Sequence, residues 1–321
     1  MSAQPRDAMR FIDAETTRRH LPFGALIAAL RERFAQDCEV PLRHTHRIGT
    51  DGTLLLMPAW RAGARLGLKT VGIFPGNSAL GLPGLHSTYL LFDARTGVPL
   101  ASLDGDEITS RRTAAASALA ASCLARPDAR QLLVVGAGRV AALLAEAMRA
   151  VRPVERVQVW NHRAGSAEQL AARLRAQGVD AHACTDLRAA VQQADIVSCA
   201  TLSTTALIEG AWLRPGTHLD LIGSFTPTMR EADAACFARC SVFVDTPEAL
   251  AKSGDVLQAK AAGAFIDAQL RATLAALCSG AHAGRASELE CTLFKAVGTA
   301  LEDLAAAELV FDAVLARESL S

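Results

Sequence analysis

The sequence predicts an α/β protein in two parts: an α+β segment on an antiparallel sheet, followed by a doubly wound parallel sheet. Two observations carry that reading. From residue 131 onward, short apolar runs alternate with helical stretches, as strands joined by crossover helices do. Before residue 110 the strand-like runs are separated by turn signals such as Asp51-Gly52 and Thr96-Gly97, the pattern of antiparallel pairing. A chain of 321 residues is long enough for two domains.

Whole-chain properties exclude several classes of function. Lys plus Arg and Asp plus Glu are both 33, and the pI is near 7.1. That balance argues against a nucleic-acid or anionic-membrane partner. No apolar run approaches the length of a transmembrane helix. The start, MSAQPRDAMRFIDAE, lacks an apolar signal core, so a cytoplasmic protein is expected. The eight cysteines are scattered, with no C-x-x-C pair, and reduced, buried thiols are expected. His44 and His46 would share a strand face, but two ligands are too few for a metal site, and none is expected.

In the first part, a helix is expected over residues 21–34. Strands follow over 42–48, 53–58, 65–74, 86–93 and 98–104, with a glycine-rich loop over 75–84. Lys69 is the odd residue, because alternation puts it on the face of Val71 and Ile73. Were that face internal, the ammonium would need an anionic partner or a lowered pKa. An edge-strand lysine facing water is the other reading. The next helix opens at Asp106, read as its cap, and carries Arg111 and Arg112 in its early turns, where the macrodipole favours anions. A bound carboxylate would relieve that conflict, since arginine holds carboxylates bidentately. Two solvated arginines are the alternative.

The second part is organised around residues 131–150, QLLVVGAGRVAALLAEAMRA. A buried strand ends at Gly136-Ala137-Gly138, Arg139 and Val140 follow, and Ala141 fills the third position of G-x-G-x-x-G/A. Between a strand and a helix this motif reads as a dinucleotide-binding turn, with the helix start facing a pyrophosphate. The second strand, 156–160, leads into Asn161-His162-Arg163. No carboxylate stands there to hold a ribose 2′-OH or repel a 2′-phosphate, and Arg163 can pair with one, so NADPH is expected over NADH. A solvated Arg163 is the alternative.

The remaining elements alternate. A helix over 166–177 is expected with Ser166 as cap, then a strand over 180–184, a helix over 187–193 and a strand over 195–200. After Ala200, the polar loop that opens with Thr201 lies at a strand's C-terminal end, where cofactors and substrates sit in open α/β sheets. Strands over 217–222, ending in Gly223-Ser224-Phe225-Thr226-Pro227, and over 241–245 complete the Rossmann-type pattern. Residues 292–307 read as one long helical segment containing Lys295 and an internal glycine, Gly298. That glycine costs helix stability and suggests close approach by a ligand or another backbone.

Several segments together resemble the ornithine cyclodeaminase/μ-crystallin family over nearly the whole chain. They are Val40-Pro-Leu-Arg43, Gly67-Leu-Lys69-Thr-Val with Phe74-Pro-Gly-Asn77, Leu91-Phe-Asp93 with Thr96-Gly97, Ile108-Thr through Arg112-Thr113, Gly136-Ala-Gly138, and Leu293-Phe-Lys295 through Gly298 and Asp303. The resemblance implies a homodimer. It implies a substrate-binding and dimerisation domain at 1–115, rejoined by a last helix over 300–321, and a nucleotide-binding domain at 116–299. Carried over by motif, Arg43, Lys69 and Arg112 would bind a substrate carboxylate, with Lys69 catalytic. The residues expected at the cofactor are Thr113, Gly136, Ala137, Gly138, Arg139, Val140, Asn161, His162, Arg163, Ala200, Thr201, Gly223, Lys295 and Gly298.

One departure bears on the chemistry. The cyclodeaminases carry an acid in a Gly-x-Asp-x-Pro segment, and this chain has Phe225 in its place. Phenylalanine can neither accept a proton nor pair with an ammonium. The GSFTP-x-M-R-E form, residues 223–231, looks like the Δ1-pyrroline-2-carboxylate/Δ1-piperideine-2-carboxylate reductase branch, which implies NADPH-dependent reduction of a small cyclic imino acid, with Phe225 against its ring. Ornithine cyclodeaminase, an NAD(P)-dependent amino-acid dehydrogenase and a non-enzymatic ligand-binding protein are the alternatives.

Overall fold

The computed structural model describes residues 9–319; residues 1–8, within the stretch read as lacking a signal core, and 320–321, the end of the expected last helix, lie outside it. The chain divides into two units, Met1–Arg112 with Thr299–Ser321, and Thr113–Gly298.

The first unit is built on a six-stranded sheet: β1 (Arg10–Ile12), β2 (His44–Ile48), β3 (Gly52–Trp60), β4 (Arg65–Ile73), β5 (Leu85–Asp93) and β6 (Pro99–Asp104), in the order β1-β6-β5-β4-β3-β2. Every neighbouring pair is antiparallel except β1 with β6. Met57 pairs with Lys69 and Lys69 with Tyr89, so one row of side chains crosses three strands. That row is buried beneath the Ala300–Glu318 helix. Lys69 therefore lies on the internal face, 2 % exposed. The Phe23–Phe34 helix packs against the same C-terminal helix. It buries Phe23, Leu26, Ile27, Leu30 and Phe34, the spacing of one helical stripe.

The second unit holds an all-parallel eight-stranded sheet: β7 (Gln131–Val135), β8 (Arg156–Trp160), β9 (Asp180–Ala183), β10 (Ile196–Cys199), β11 (His218–Leu221), β12 (Ser241–Val244), β13 (Leu270–Thr273) and β14 (Thr292–Lys295). Their order is β13-β12-β14-β11-β10-β7-β8-β9. The order reverses at β7, which places the first crossover turn at a topological switch point. β10, β11 and β14 are buried along their whole length, as strands covered on both faces are. Leu133, Val135, Val197, Leu219, Leu221 and Leu293 from these strands share one core. No described helix is long and apolar enough to cross a membrane.

The structure corrects three local expectations. Residues 292–307 are not one helix: Thr292–Lys295 is a central strand, and the helix starts only at Ala300, capped by Thr299. Gly298 thus sits in the connection, at φ 76°, rather than inside a helix. Four apolar or amphipathic residues flanking an alanine-rich helix carry no period long enough to separate strand from helix. Asp104, not Asp106, accepts the N–H of Glu107 at the start of the Gly105–Leu124 helix; Asp106 accepts from Ser87 Oγ. The helix expected to open at Ser166 spans Ala164–Ala176 and follows Arg163, with no side-chain cap.

Candidate functional site

In the first unit the sheet and the C-terminal helix build a buried ionic cluster. Lys69 projects from β4 toward Asp303 in the first turn of the Ala300–Glu318 helix, with Nζ 2.7 Å from Oδ2. Nζ also donates to Thr109 Oγ1 at 3.3 Å. Arg112 Nε donates to the other Asp303 oxygen at 3.0 Å, and Nη1 donates to Glu302 at 2.5 Å. Two acids in a first turn suit the helix dipole, and here they also supply the anions that Lys69 and Arg112 require. The conflict at the Arg111–Arg112 pair is resolved differently for each. Arg111 donates to Leu21 O and lies 4.4 Å over the Phe23 ring, so its role is packing. Arg112 joins Lys69.

The protonation states follow from this arrangement. Burial pushes the Lys69 ammonium down to about 8, with Asp303 opposing and Arg112 assisting. Burial alone would raise Asp303, but Lys69 and Arg112 hold it below its ordinary value. Burial would lower Arg112, but Asp303 and Glu302 raise it. At neutral pH Lys69 and Arg112 are cations and the Asp303 between them is a carboxylate. The Lys69 ammonium has a third N–H beyond Asp303 and Thr109, and Arg112 Nη2 has no acceptor among the described residues. Arg43 is half-buried, one residue before β2. Its neighbour His44 pairs with Leu56, and the next residue of β3, Met57, pairs with Lys69. The structure thus joins Lys69 to Arg112 through one carboxylate and leaves Arg43 across two strands of the same sheet.

In the second unit the glycine turn has the form that a dinucleotide pyrophosphate requires. Gly136 takes φ 122°, and a Cβ there would lie 2.6 Å from Ala200 O. A Cβ on Gly138 would meet nothing within 4 Å, so the turn presents bare backbone to open space. The Ala141–Arg149 helix follows Val140 with no side-chain cap, and Ala141 is buried where helix meets strand. These residues fit a nucleotide phosphate. Beyond β8, His162 and Arg163 are exposed, and Asn161 donates to Arg163 O at 3.3 Å. Thr113 is half-buried and Phe225 is 36 % exposed.

The loops after β10 and β11 meet at Glu231, the last residue of the motif that starts at Gly223, to which the sequence reading gave no role. Glu231 is fully buried and takes four hydrogen bonds. Oε1 accepts from Thr201 N at 2.7 Å and Thr201 Oγ1 at 2.9 Å; Oε2 accepts from Gly223 N at 2.8 Å and Ser224 N at 3.2 Å. Burial pushes its carboxyl up to about 7, with Lys295 opposing and Asp255 adding. Lys295, at the end of β14, has Nζ 3.2 Å from Asp255 Oδ2 and 3.9 Å from Glu231 Oε2. Asp255 Oδ1 accepts the backbone N–H groups of Glu231 and Ala232. Gly298 N and Val297 N donate to Asp245 Oδ2. Lys295 and Gly298, expected at the cofactor, are therefore engaged by buried carboxylates of their own unit. Glu231 closes the Gly223–Glu231 motif on which the resemblance rests, but that motif gave it no role, and nothing in the sequence marks Asp255; their burial as acids is the signal, and only the fold shows it.

Comparisons with known proteins identify the family and the fold. The ornithine cyclodeaminase/mu-crystallin family model matches residues 13–318. A Δ1-pyrroline-2-carboxylate reductase of Paracoccus denitrificans is 45 % identical over 261 residues, 81 % of this chain and 83 % of that protein. The structure of Thermococcus litoralis Δ1-pyrroline-2-carboxylate reductase in complex with NADH and L-proline superposes with a TM-score of 0.91 at 30 % identity, covering 97 % of this chain and 98 % of that one. An archaeal alanine dehydrogenase dimer with bound NAD superposes with a TM-score of 0.90 at 27 % identity, covering 97 % of each chain. The chain belongs to the ornithine cyclodeaminase/mu-crystallin family.

Proposed function

We propose that this protein is an imine oxidoreductase that reduces a cyclic ketimine carboxylate, Δ1-pyrroline-2-carboxylate or Δ1-piperideine-2-carboxylate, with NADPH to L-proline or L-pipecolate. The carrying observation is the Lys69–Asp303–Arg112 cluster, whose remaining N–H donors suit a carboxylate. An iminium carboxylate is neutral overall, as is the cluster when all four groups are ionised, so binding buries no net charge.

When bound, the nicotinamide supplies a hydride to C2 of the C=N bond. The chain's own part is to hold C2 at attack distance through Lys69, Arg112 and Arg43, which lowers the barrier by positioning. One hydride and one proton reduce C=N to CH–NH. With a pKa of about 8, Lys69 is protonated at neutral pH and close enough to the working range to give that proton if the imine arrives neutral. Phe225 suits a ring without a second amine and leaves no acid to handle ornithine. Asn161 and Arg163, with no carboxylate beside them, favour the 2′-phosphate of NADPH.

The protein acts as a homodimer in this reading. The sheet face opposite the C-terminal helix presents Leu54, Leu56, Leu66, Leu68, Leu90 and Phe92, all half-exposed, across three adjacent strands. A continuous apolar face of this kind marks an association surface. Sedimentation at micromolar concentration should give twice the chain mass, and a monomer would remove the dimer.

NADPH oxidation with each imine, beside ammonia release from L-ornithine, tests the activity. Imine-dependent oxidation without ammonia is the expected result. Ammonia and proline from ornithine would overturn it in favour of a cyclodeaminase.

A further inference from the structure

The loops that follow β7, β10 and β11 converge at the C-terminal ends of three adjacent strands, where an open α/β sheet binds its ligands. Their mutual spacing has a specific cause. Ala200 O lies only 2.6 Å from where a Cβ on Gly136 would sit, which packs the loop after β10 against the glycine turn. Thr201, the next residue, gives both its N–H and its hydroxyl to Glu231 Oε1. Gly223 and Ser224, after β11, give their N–H groups to Glu231 Oε2. A Cβ on Gly223 would collide with Thr201 O and with Glu231 Oε1, so the two loops touch at bare backbone. Four donors and no acceptor face this carboxylate, so the ionised form is the one the geometry holds. Asp255 in turn holds Glu231 by its backbone N–H, and Lys295 supplies the compensating charge.

We infer that Glu231 is a positioning residue for hydride transfer: its carboxylate clamps the loops after β10 and β11 against the dinucleotide turn and so sets the surface on which the nicotinamide rests. The inference depends on the NADPH-dependent reading above. Glu231 itself, fully buried behind the loops it binds, acts through Thr201 and Gly223. A carboxamide in its place keeps the shape but turns an NH₂ toward N–H donors, so one loop must move away. Displacement of a reacting group by about 1 Å costs on the order of 100-fold in rate.

The test compares Glu231→Gln with the unaltered protein for NADPH dissociation constant, by nucleotide fluorescence, and for kcat and KM with Δ1-pyrroline-2-carboxylate. The expected result is NADPH binding about 10-fold weaker and kcat about 30-fold lower, with the imine KM within about 3-fold, because the carboxylate-binding groups are untouched. A folded Glu231→Gln protein with unaltered NADPH affinity and kcat would overturn the inference. Should that variant fail to fold, Thr201→Val, which removes one of the four bonds and keeps the volume, is judged on the same readings. A loss of about 3-fold in both supports the clamp, and no loss overturns it. Failure of the unaltered protein to bind NADPH would instead sink the cofactor reading. Binding without imine turnover would sink the substrate reading and leave the clamp to be judged on affinity alone.

Discussion

Lys69 and Lys295 are both buried strand lysines paired with buried acids, yet the two clusters are built differently. Around Lys69 the partners are side chains throughout: Asp303, Glu302 and Arg112. Around Lys295 the acids bond mainly to backbone: Glu231 accepts three backbone N–H groups and the Thr201 hydroxyl, and Asp255 Oδ1 accepts the N–H groups of residues 231–232. Side-chain ion pairs can share donors with an arriving carboxylate. A carboxylate saturated by backbone N–H groups cannot do so without moving the chain. The first cluster is therefore suited to take part in chemistry, and the second to hold geometry.

The largest effect should come from breaking the first cluster. Lys69→Ala removes the proposed carboxylate ligand and proton donor, and kcat/KM should fall on the order of 10²–10³-fold in steady-state assays. It also leaves Asp303 with one buried cation instead of two, so thermal unfolding should show a stability loss of about 3 kcal/mol. An unchanged kcat/KM would erase the distinction between the clusters, because Lys69 would then be as purely structural as Lys295.

The pH profile sharpens the same contrast. Lys69 carries its charge below about 8 and loses it above. For a group needed in its cationic form, kcat/KM should be flat below that value and fall about tenfold per pH unit above it. The substrate imine can produce a similar limb, and Lys69→Arg separates the two. Arginine stays charged, so a limb due to residue 69 moves out of range, whereas one due to the substrate stays in place.

The two clusters also differ in how far the sequence reveals them. Lys69 was visible as a cation on the alternating face of a strand, and Arg112 as a cation where the helix dipole favours anions. Both stand out because they violate a local rule. The Gly136–Gly138 turn was legible because strand, glycines and helix are contiguous. Asp303 and Glu302 obey their local rule as acids in a first turn, so their pairing with Lys69 and Arg112 is a tertiary fact. The strand position of Lys295 was concealed for a different reason. Thr292–Lys295 is four residues long and precedes an alanine-rich helix, so its place as a central strand between β11 and β12 rests on pairing with residues more than 50 positions away. Asp255 is an ordinary acid in sequence, and Glu231 only the end of a motif read for its Phe225; the convergence of loops is what gives both a role.

The smallest effect concerns cofactor choice, which neither cluster touches. Arg163 is exposed, and it follows a strand end from which the usual ribose-binding carboxylate is missing. If the buried groups set the geometry and the rim sets selectivity, Arg163→Ala should leave kcat near its parent value. NADPH should bind about 10-fold more weakly, the scale of one charge-assisted hydrogen bond at an accessible site, and NADH affinity should change less than about 2-fold. Fluorescence titrations with both nucleotides measure this directly. Equal losses for NADPH and NADH would mean that Arg163 supports the loop itself. Selectivity would then have to be sought at Asn161 and His162.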